Sequence, residues 1–204
     1  MSVALIDYGA GNLHSVHNAL KAAGAADVVV TADPELVANA DRIVLPGVGA
    51  FASCMRALSA IDGLVEAMET QVHSGSVPFL GICVGMQLLA DAGVEHGTHP
   101  GLGWIGGTVR AIEPKDKTIK IPHMGWNDVM PSAPHTLLES GEAYYLHGYH
   151  FDTSDDADVL ARSDHGGSLV AAVGRDNIIG VQFHPEKSQA YGLAFLSRFL
   201  EWKP

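Results

Sequence analysis

The 204-residue sequence predicts an α/β fold: a mainly parallel open sheet flanked by helices, with an added antiparallel β layer in the second half, in one domain over residues 1–204. Three observations carry this expectation. In the first half, apolar runs of about five residues alternate with segments of helical period. Two of these runs lead straight into glycine-rich turns, Pro46-Gly47-Val48-Gly49 and Gly81-Ile82-Cys83-Val84-Gly85. After residue 107 the helical period fades and short runs rich in β-formers follow one another at close spacing.

Taken in order, residues 3–6 are apolar and form the first predicted strand. A helix follows over 13–23, with Val16, Leu20 and Ala23 on one face and Gly24 as its stop. Residues 27–30 make a second strand. Asp33 then caps a helix whose first position is Pro34, where a missing N–H costs nothing. Residues 43–45 are a third strand, and helical stretches lie around 53–58 and 63–73. Residues 78–82 are a fourth strand, with its helix over 84–92. Alternation of this kind implies right-handed crossovers and parallel pairing. In the second half, residues 108–112, 118–121, 143–151, 159–163, 169–173 and 178–183 read as strands, with Gly174-Arg175-Asp176-Asn177 as a hairpin loop. A closing helix over 193–202 has apolar residues at 193, 196, 199 and 200. No linker, repeat or low-complexity tract interrupts the chain.

Composition narrows the function classes. Lys plus Arg is 12 against 23 Asp plus Glu, and a net charge of −11 disfavours nucleic-acid binding, which needs clustered positive charge. Two cysteines argue against a disulfide framework and point to a reducing, cytoplasmic setting. Cys54, within a helical pattern, reads as a small core residue. Residues 1–7 lack a basic stretch before their apolar run, and no segment reaches the roughly 20 apolar residues that span a bilayer, so neither a signal peptide nor a membrane span is expected.

The chemistry gathers at Cys83. Glycines two positions to either side suit a sharp strand-to-helix turn that presents a nucleophile, because side chains there would collide. A helix start beyond the turn favours a negative sulfur. Alone, the motif also fits a structural cysteine in a glycine turn. His184 and Glu186 supply a base and a carboxylate to orient it, on one face of an extended chain. Backbone N–H groups of Val84 and of the Gly47-Val48-Gly49 turn are candidates for an oxyanion hole. Gln87, one helical turn past Cys83, is a candidate substrate contact. Gly9-Ala10-Gly11 lacks the third glycine of a dinucleotide site, and His96 and His99 lack further ligands at a convincing spacing, so no metal or cofactor is expected.

The cysteine elbow, glycine turn and late His-Pro-Glu together resemble the triad-type, class I glutamine amidotransferases. Residues 7–13, Asp-Tyr-Gly-Ala-Gly-Asn-Leu, and 122–127, Pro-His-Met-Gly-Trp-Asn, narrow the likeness. With residues 46–51, 81–87 and 180–188 they resemble the glutaminase subunits of imidazole glycerol phosphate synthases, of histidine biosynthesis. The resemblance spans nearly the whole chain. It implies that Cys83, His184 and Glu186 hydrolyse L-glutamine through a thioester, with Gln87, Gly148 and Tyr149 contacting the substrate. It also implies a heterodimer with a (β/α)8-barrel cyclase that receives the ammonia; Tyr8, Asn12, Trp126 and Lys187, whose motifs flank the triad and show no catalytic need, are expected at the interface. Gly148 departs from the Ser or Thr usual in the family, which leaves a backbone contact there and no hydroxyl. Competing expectations are an amidotransferase serving pyridoxal phosphate or anthranilate synthesis, a cysteine peptidase or esterase, and a non-catalytic binding module.

Overall fold

In the computed structural model, which describes residues 1–204, the apolar runs of the first half form β1 (Ser2–Ile6), β2 (Asp27–Thr31), β3 (Arg42–Gly47) and β4 (Phe79–Cys83). Between and after them lie α1 (Leu13–Ala22), α2 (Pro34–Ala38), α3 (Phe51–Ser59), α4 (Leu64–Glu69) and α5 (Val84–Gln87). Asp33 caps α2 as expected, its side chain accepting from Glu35 N. The second half adds β5 (Ala92–Gly93), β6 (His99–Pro100), β7 (Gly107–Ala111), β8 (His123–Pro131), β9 (Gly141–His147), β10 (Tyr149–Thr153), β11 (Val159–Asp164), β12 (Ser168–Arg175), β13 (Ile178–Val181) and α6 (Gln189–Glu201).

Nine strands form one mixed sheet in the order β2-β1-β3-β4-β13-β12-β11-β8-β9. Pairings from β2 through to β13 are parallel. Those from β13 to β9 are antiparallel. The antiparallel strands therefore extend the parallel sheet sideways. A separate small sheet, β10-β7-β5-β6, supplies the second layer. Of the parallel strands, β1, β3, β4 and β13 are buried almost throughout, as strands covered on both faces must be, whereas the edge strand β2 buries only Thr31. On α6 the buried stripe is Phe195, Leu196, Phe199 and Leu200, while Leu193 is exposed. Arg42 at the start of β3 satisfies the end of that helix, donating to the carbonyls of Phe199, Leu200 and Trp202.

Four expectations change. The helix over 84–92 stops at Gln87, because Asp91 and Gly93 are drawn into the small sheet: Asp91 N donates to Gly107 O, Gly107 N donates to the Asp91 carboxylate, and β5 pairs with β7. Residues 118–121 form no strand, since the Asp116 side chain folds the chain back by accepting from Thr118 N and Oγ1. The run 143–151 divides at Gly148 into β9 and β10, which belong to different sheets. The hairpin turn after β12 is tighter than expected, with Asp176 at φ 51°. β8 lay hidden because its pattern is inverted, with His123 buried while Met124, Trp126 and Met130 are exposed.

The register fixes the site. Gly47 pairs with Cys83, and Val181 pairs with Ile82. The turn after β3, the elbow after β4 and the segment after β13 thus leave the sheet at one carboxyl edge, where open α/β sheets bind ligands.

Candidate active site

Cys83 occupies φ 54°, ψ −111°, a conformation that costs a non-glycine residue energy and is held here by its surroundings. Both flanking glycines are required. A Cβ on Gly81 would lie 2.7 Å from Gly85 O, and one on Gly85 would lie 1.9 Å from Leu45 O. The four-residue α5 is too short for much macrodipole, so the pull of a helix start on the sulfur is weaker than expected.

His184 and Glu186 meet as expected, with Nδ1 and Oε1 2.9 Å apart and both side chains buried. The local route differs, since His184 is extended but Pro185–Lys187 form a 3-10 turn that swings Glu186 back to the ring. The turn is anchored to β9: His184 N donates to Tyr144 O, and Ser188 Oγ donates to His184 O while accepting from Tyr144 N. Burial disfavours the charged ring, but Cys83 and Glu186 on its two sides outweigh that and raise His184 to about 9. No hydrogen bond of ordinary geometry joins Nε2 to the sulfur, so Cys83 acts on the ring as a close neighbour.

These groups open into a pocket of about 340 Å³, at the small end of ligand clefts and fitting a single amino acid. Val48, Gly49 and Val84 line it, as do Gln87, Gly148, Tyr149 and Lys187. Gly47 does not, and its assignment to the oxyanion hole is corrected: it is a packing glycine, whose Cβ would lie 2.7 Å from both Gly85 N and Tyr8 Oη. The turn is held from beneath by Tyr8 Oη donating to Pro46 O at 2.8 Å and Cys54 Sγ donating to Val48 O at 3.4 Å. Cys54 is otherwise the core residue expected. The Val48 carbonyl points to Cys54, so the N–H of Gly49, across the same planar peptide, points away from it.

Sequence reasoning missed a set of buried and half-buried residues around the pocket. Asn127 Nδ2 can only donate, and it lies 3.0 Å from His123 Nε2. His123 must then donate from Nδ1 to His147 Nε2, at 2.9 Å, and His147 from Nδ1 to Tyr149 O, at 2.8 Å. Burial lowers His123 to about 4, with His165 adding to it. Burial also lowers His147 to about 3, against the opposing pull of the Tyr149 carbonyl. Both rings are therefore neutral, which this directional chain needs. Glu95 also borders the pocket and accepts from Phe51 N at the start of α3. Gln182, fully buried, stands against Cys83. The alternation of β8 and β9 was the available signal for the histidines, masked by exposed apolar residues on their other face.

Of the interface candidates, Trp126 is 47% exposed and stands edge-on to Tyr144, over which Lys187 Nζ lies 5.7 Å from the ring centre. Asn12 is half-buried. Tyr8 is corrected: it is 4% exposed and committed to the turn beneath the pocket, so its side chain offers no surface.

A cysteine on a strained elbow, a histidine held by a carboxylate and an amino-acid-sized pocket at the carboxyl edge of this mixed sheet fit a thiol nucleophile acting on a small amide or ester. The family model described as "Glutamine amidotransferase class-I" matches residues 4–201. The imidazole glycerol phosphate synthase subunit HisH of Zymomonas mobilis is 62% identical, with 100% of this chain and 97% of that one aligned. The HisH subunit of Rhodospirillum rubrum is 56% identical over the full length of both. The chain belongs to the class I glutamine amidotransferases, in their HisH branch. Solved structures agree on the fold. A glutamine amidotransferase crystal structure superposes with a TM-score of 0.76 at 21% identity, covering 98% of this chain and 97% of that one. PurLQS from Thermotoga maritima gives 0.71 at 20% identity, covering 98% and 95%.

Proposed function

We propose that this chain is the glutaminase subunit of an imidazole glycerol phosphate synthase in histidine biosynthesis, working in the cytoplasm as a heterodimer with a (β/α)8-barrel cyclase. The observation that carries the chemistry is the Cys83–His184–Glu186 arrangement opening on a pocket of about 340 Å³. Cys83 attacks the carboxamide carbon of glutamine as its thiolate, and negative charge develops on the amide oxygen. Val84, Val48 and Gly49 line the pocket, and their N–H groups are the candidates to receive that charge once the turn is in its active orientation. With its pKa raised to about 9, His184 holds a proton at neutral pH and gives it to the leaving nitrogen as the C–N bond breaks. Ammonia departs and a glutamyl thioester remains. His184 then takes a proton from water, which attacks the thioester and releases glutamate and the thiolate. Glu186 keeps the ring oriented throughout.

The partner reading is supported by the surface beside the pocket. Trp126 and Met124 on β8 lie opposite Tyr144 and Leu146 on β9, and Leu146 also borders the pocket. Met124 is 65% exposed and Trp126 47%, an apolar patch of the kind that a protein partner covers. Freed ammonia that reached water would be protonated and lose its nucleophilicity, so delivery across this face is the economical route. The conformational freedom of Gly49, at φ 104°, lets the oxyanion turn rest inactive until the partner is loaded.

The test is glutamate release from glutamine by the chain alone, with the cyclase, and with the cyclase holding its nucleotide substrate. Release confined to the loaded complex, and abolished by Cys83→Ala without loss of assembly, is the expected result. Full activity of the isolated chain removes the gated turn, and no activity in any combination removes the glutaminase.

A further inference from the structure

Gln182 has no part in the mechanism as described, yet it is fully buried against the nucleophile. Its Nε2 lies 3.7 Å from Cys83 Sγ, and its Oε1 accepts from Gln87 Nε2 at 3.0 Å. Gln87 Nε2 also donates to Tyr149 O, at 3.0 Å.

The orientation of both amides follows from one group that can only accept. The Tyr149 carbonyl requires the NH2 end of Gln87. The second hydrogen of that NH2 then points to Gln182 and requires its oxygen. The NH2 of Gln182 is thereby turned to the sulfur. Rotating either amide would set two oxygens or two NH2 groups against each other in a buried site. The sulfur itself sits between opposite partners. The Leu146 carbonyl, at 3.9 Å, can accept from a thiol but repels a thiolate, whereas the Gln182 N–H donates best to a thiolate.

We propose that Gln182 is a positioning residue for the catalytic cysteine: its amide holds the Cys83 sulfur in the attacking orientation and, through Gln87, ties that orientation to the Tyr149 carbonyl on the wall that receives the substrate. The nucleophile and the substrate strand are thereby fixed relative to each other by one pair of side chains. Gln182 lies just past β13 and Gln87 at the end of α5, so the pair also spans the parallel junction on which the site is built.

The reading rests on the proposed glutaminase, so the test includes a reaction that needs neither glutamine nor partner. Gln182→Glu keeps an oxygen for Gln87 and removes the donor to sulfur. Gln182→Met removes both without adding charge. Removing one hydrogen bond to a charged group changes a rate by about 10-fold or more. Both variants are expected to slow alkylation of Cys83 by iodoacetamide, followed by peptide mass spectrometry, about tenfold. In the assembled complex Gln182→Glu should lower kcat by a similar factor with KM within about twofold, and Gln182→Met should also raise KM, as Tyr149 loses its brace. Unchanged alkylation and kcat in a variant that unfolds cooperatively overturns the proposal. If neither variant folds, the Gln182 side-chain amide resonance decides. In the unsubstituted chain against Cys83→Ala it should shift on loss of the sulfur, and an unmoved resonance overturns the proposal. Slower alkylation with no glutamate release even from the unsubstituted complex upholds the positioning role and sinks the glutaminase instead.

Discussion

Gly85→Ala should cripple folding, whereas Gly49→Ala should be tolerated, although both are glycines of the same site. A methyl placed on Gly85 would lie 1.9 Å from Leu45 O and 2.9 Å from Leu45 C. An ordinary non-bonded separation is on the order of 3.5 Å, so β3 and α5 would have to part by about 1.5 Å. β3 cannot yield easily, being hydrogen-bonded to β1 on one side and β4 on the other. A clash with backbone on both sides belongs with core overpacking at its most severe, on the order of 4 kcal/mol or more. At roughly 2–4 °C per kcal/mol for a chain of this size, the midpoint of thermal unfolding should fall by about 10 °C or more. Gly49, by contrast, has nothing within 4 Å of an added methyl and only its φ of 104° to defend. Its strain is on the order of 1–2 kcal/mol, a fall of a few degrees. Circular dichroism melts of the two variants at equal concentration make the comparison. A Gly85→Ala midpoint within about 4 °C of the unsubstituted chain, or equal losses in both variants, would refute the argument that the elbow is sterically closed.

Other expectations follow from the same geometry. A Cβ on Gly148 would meet only Ile121 Cγ2, at 3.8 Å, so Gly148→Ser should fold normally. One added hydroxyl contact to glutamine should lower KM about three- to tenfold, and steady-state kinetics of the complex that show an unchanged or higher KM count against a substrate contact at this position. His123 and His147 have folded pKa values lowered to about 4 and about 3 from 6.5. The unfolded chain therefore binds protons that the folded chain refuses, and the stability present above pH 6.5 is lost as pH falls toward 4, by on the order of 1 kcal/mol per pH unit for each ring. Urea midpoints that stay flat between pH 6.5 and 4.5 would contradict buried neutral rings. Trp126→Ala should weaken cyclase binding by about 30-fold or more, as loss of an aromatic anchor does, and a titration calorimetry isotherm matching that of the unsubstituted chain removes Trp126 from the interface.

What the sequence revealed was the part of the site governed by local sterics. Gly81 and Gly85 announce the elbow because no other residue fits beside that backbone, and the His184–Glu186 pair is close in sequence, so both were legible as motifs. The parallel half of the fold was legible for a related reason, since fully buried strands read as uninterrupted apolar runs. The antiparallel extension was harder. β8 turns polar His123 inward and apolar Met124 and Trp126 outward, so period-two reading finds the alternation with its faces exchanged. Gly47 and Tyr8 were misassigned because a residue's place in a motif does not say which side of the backbone faces the pocket. The His123–His147 bond spans 24 residues and the contacts of Gln182 span 95 and 99, separations that no local pattern carries.

That division has a functional consequence. The parallel half supplies Cys83 and the Val48-Gly49 turn; the antiparallel half supplies the strand that lines the pocket and, through Tyr144, the anchor of His184. Neither half holds the whole chemistry, and the two meet at β13, which runs parallel to β4 on one side and antiparallel to β12 on the other. Tyr149 O is the point on which the buried polar groups converge, accepting from Gln87 on one side and His147 on the other. From His147 the chain of hydrogen bonds runs through His123 to Asn127, the neighbour of exposed Trp126 on β8. Any shift of β8 against β9 would disturb the bond between His123 and His147, and through it the same carbonyl to which Gln87 donates. A link between β8 and Cys83 along these bonds would need no long-range motion. It needs only a change in the hydrogen bonds to one carbonyl, because every donor in the path has its direction fixed by the next.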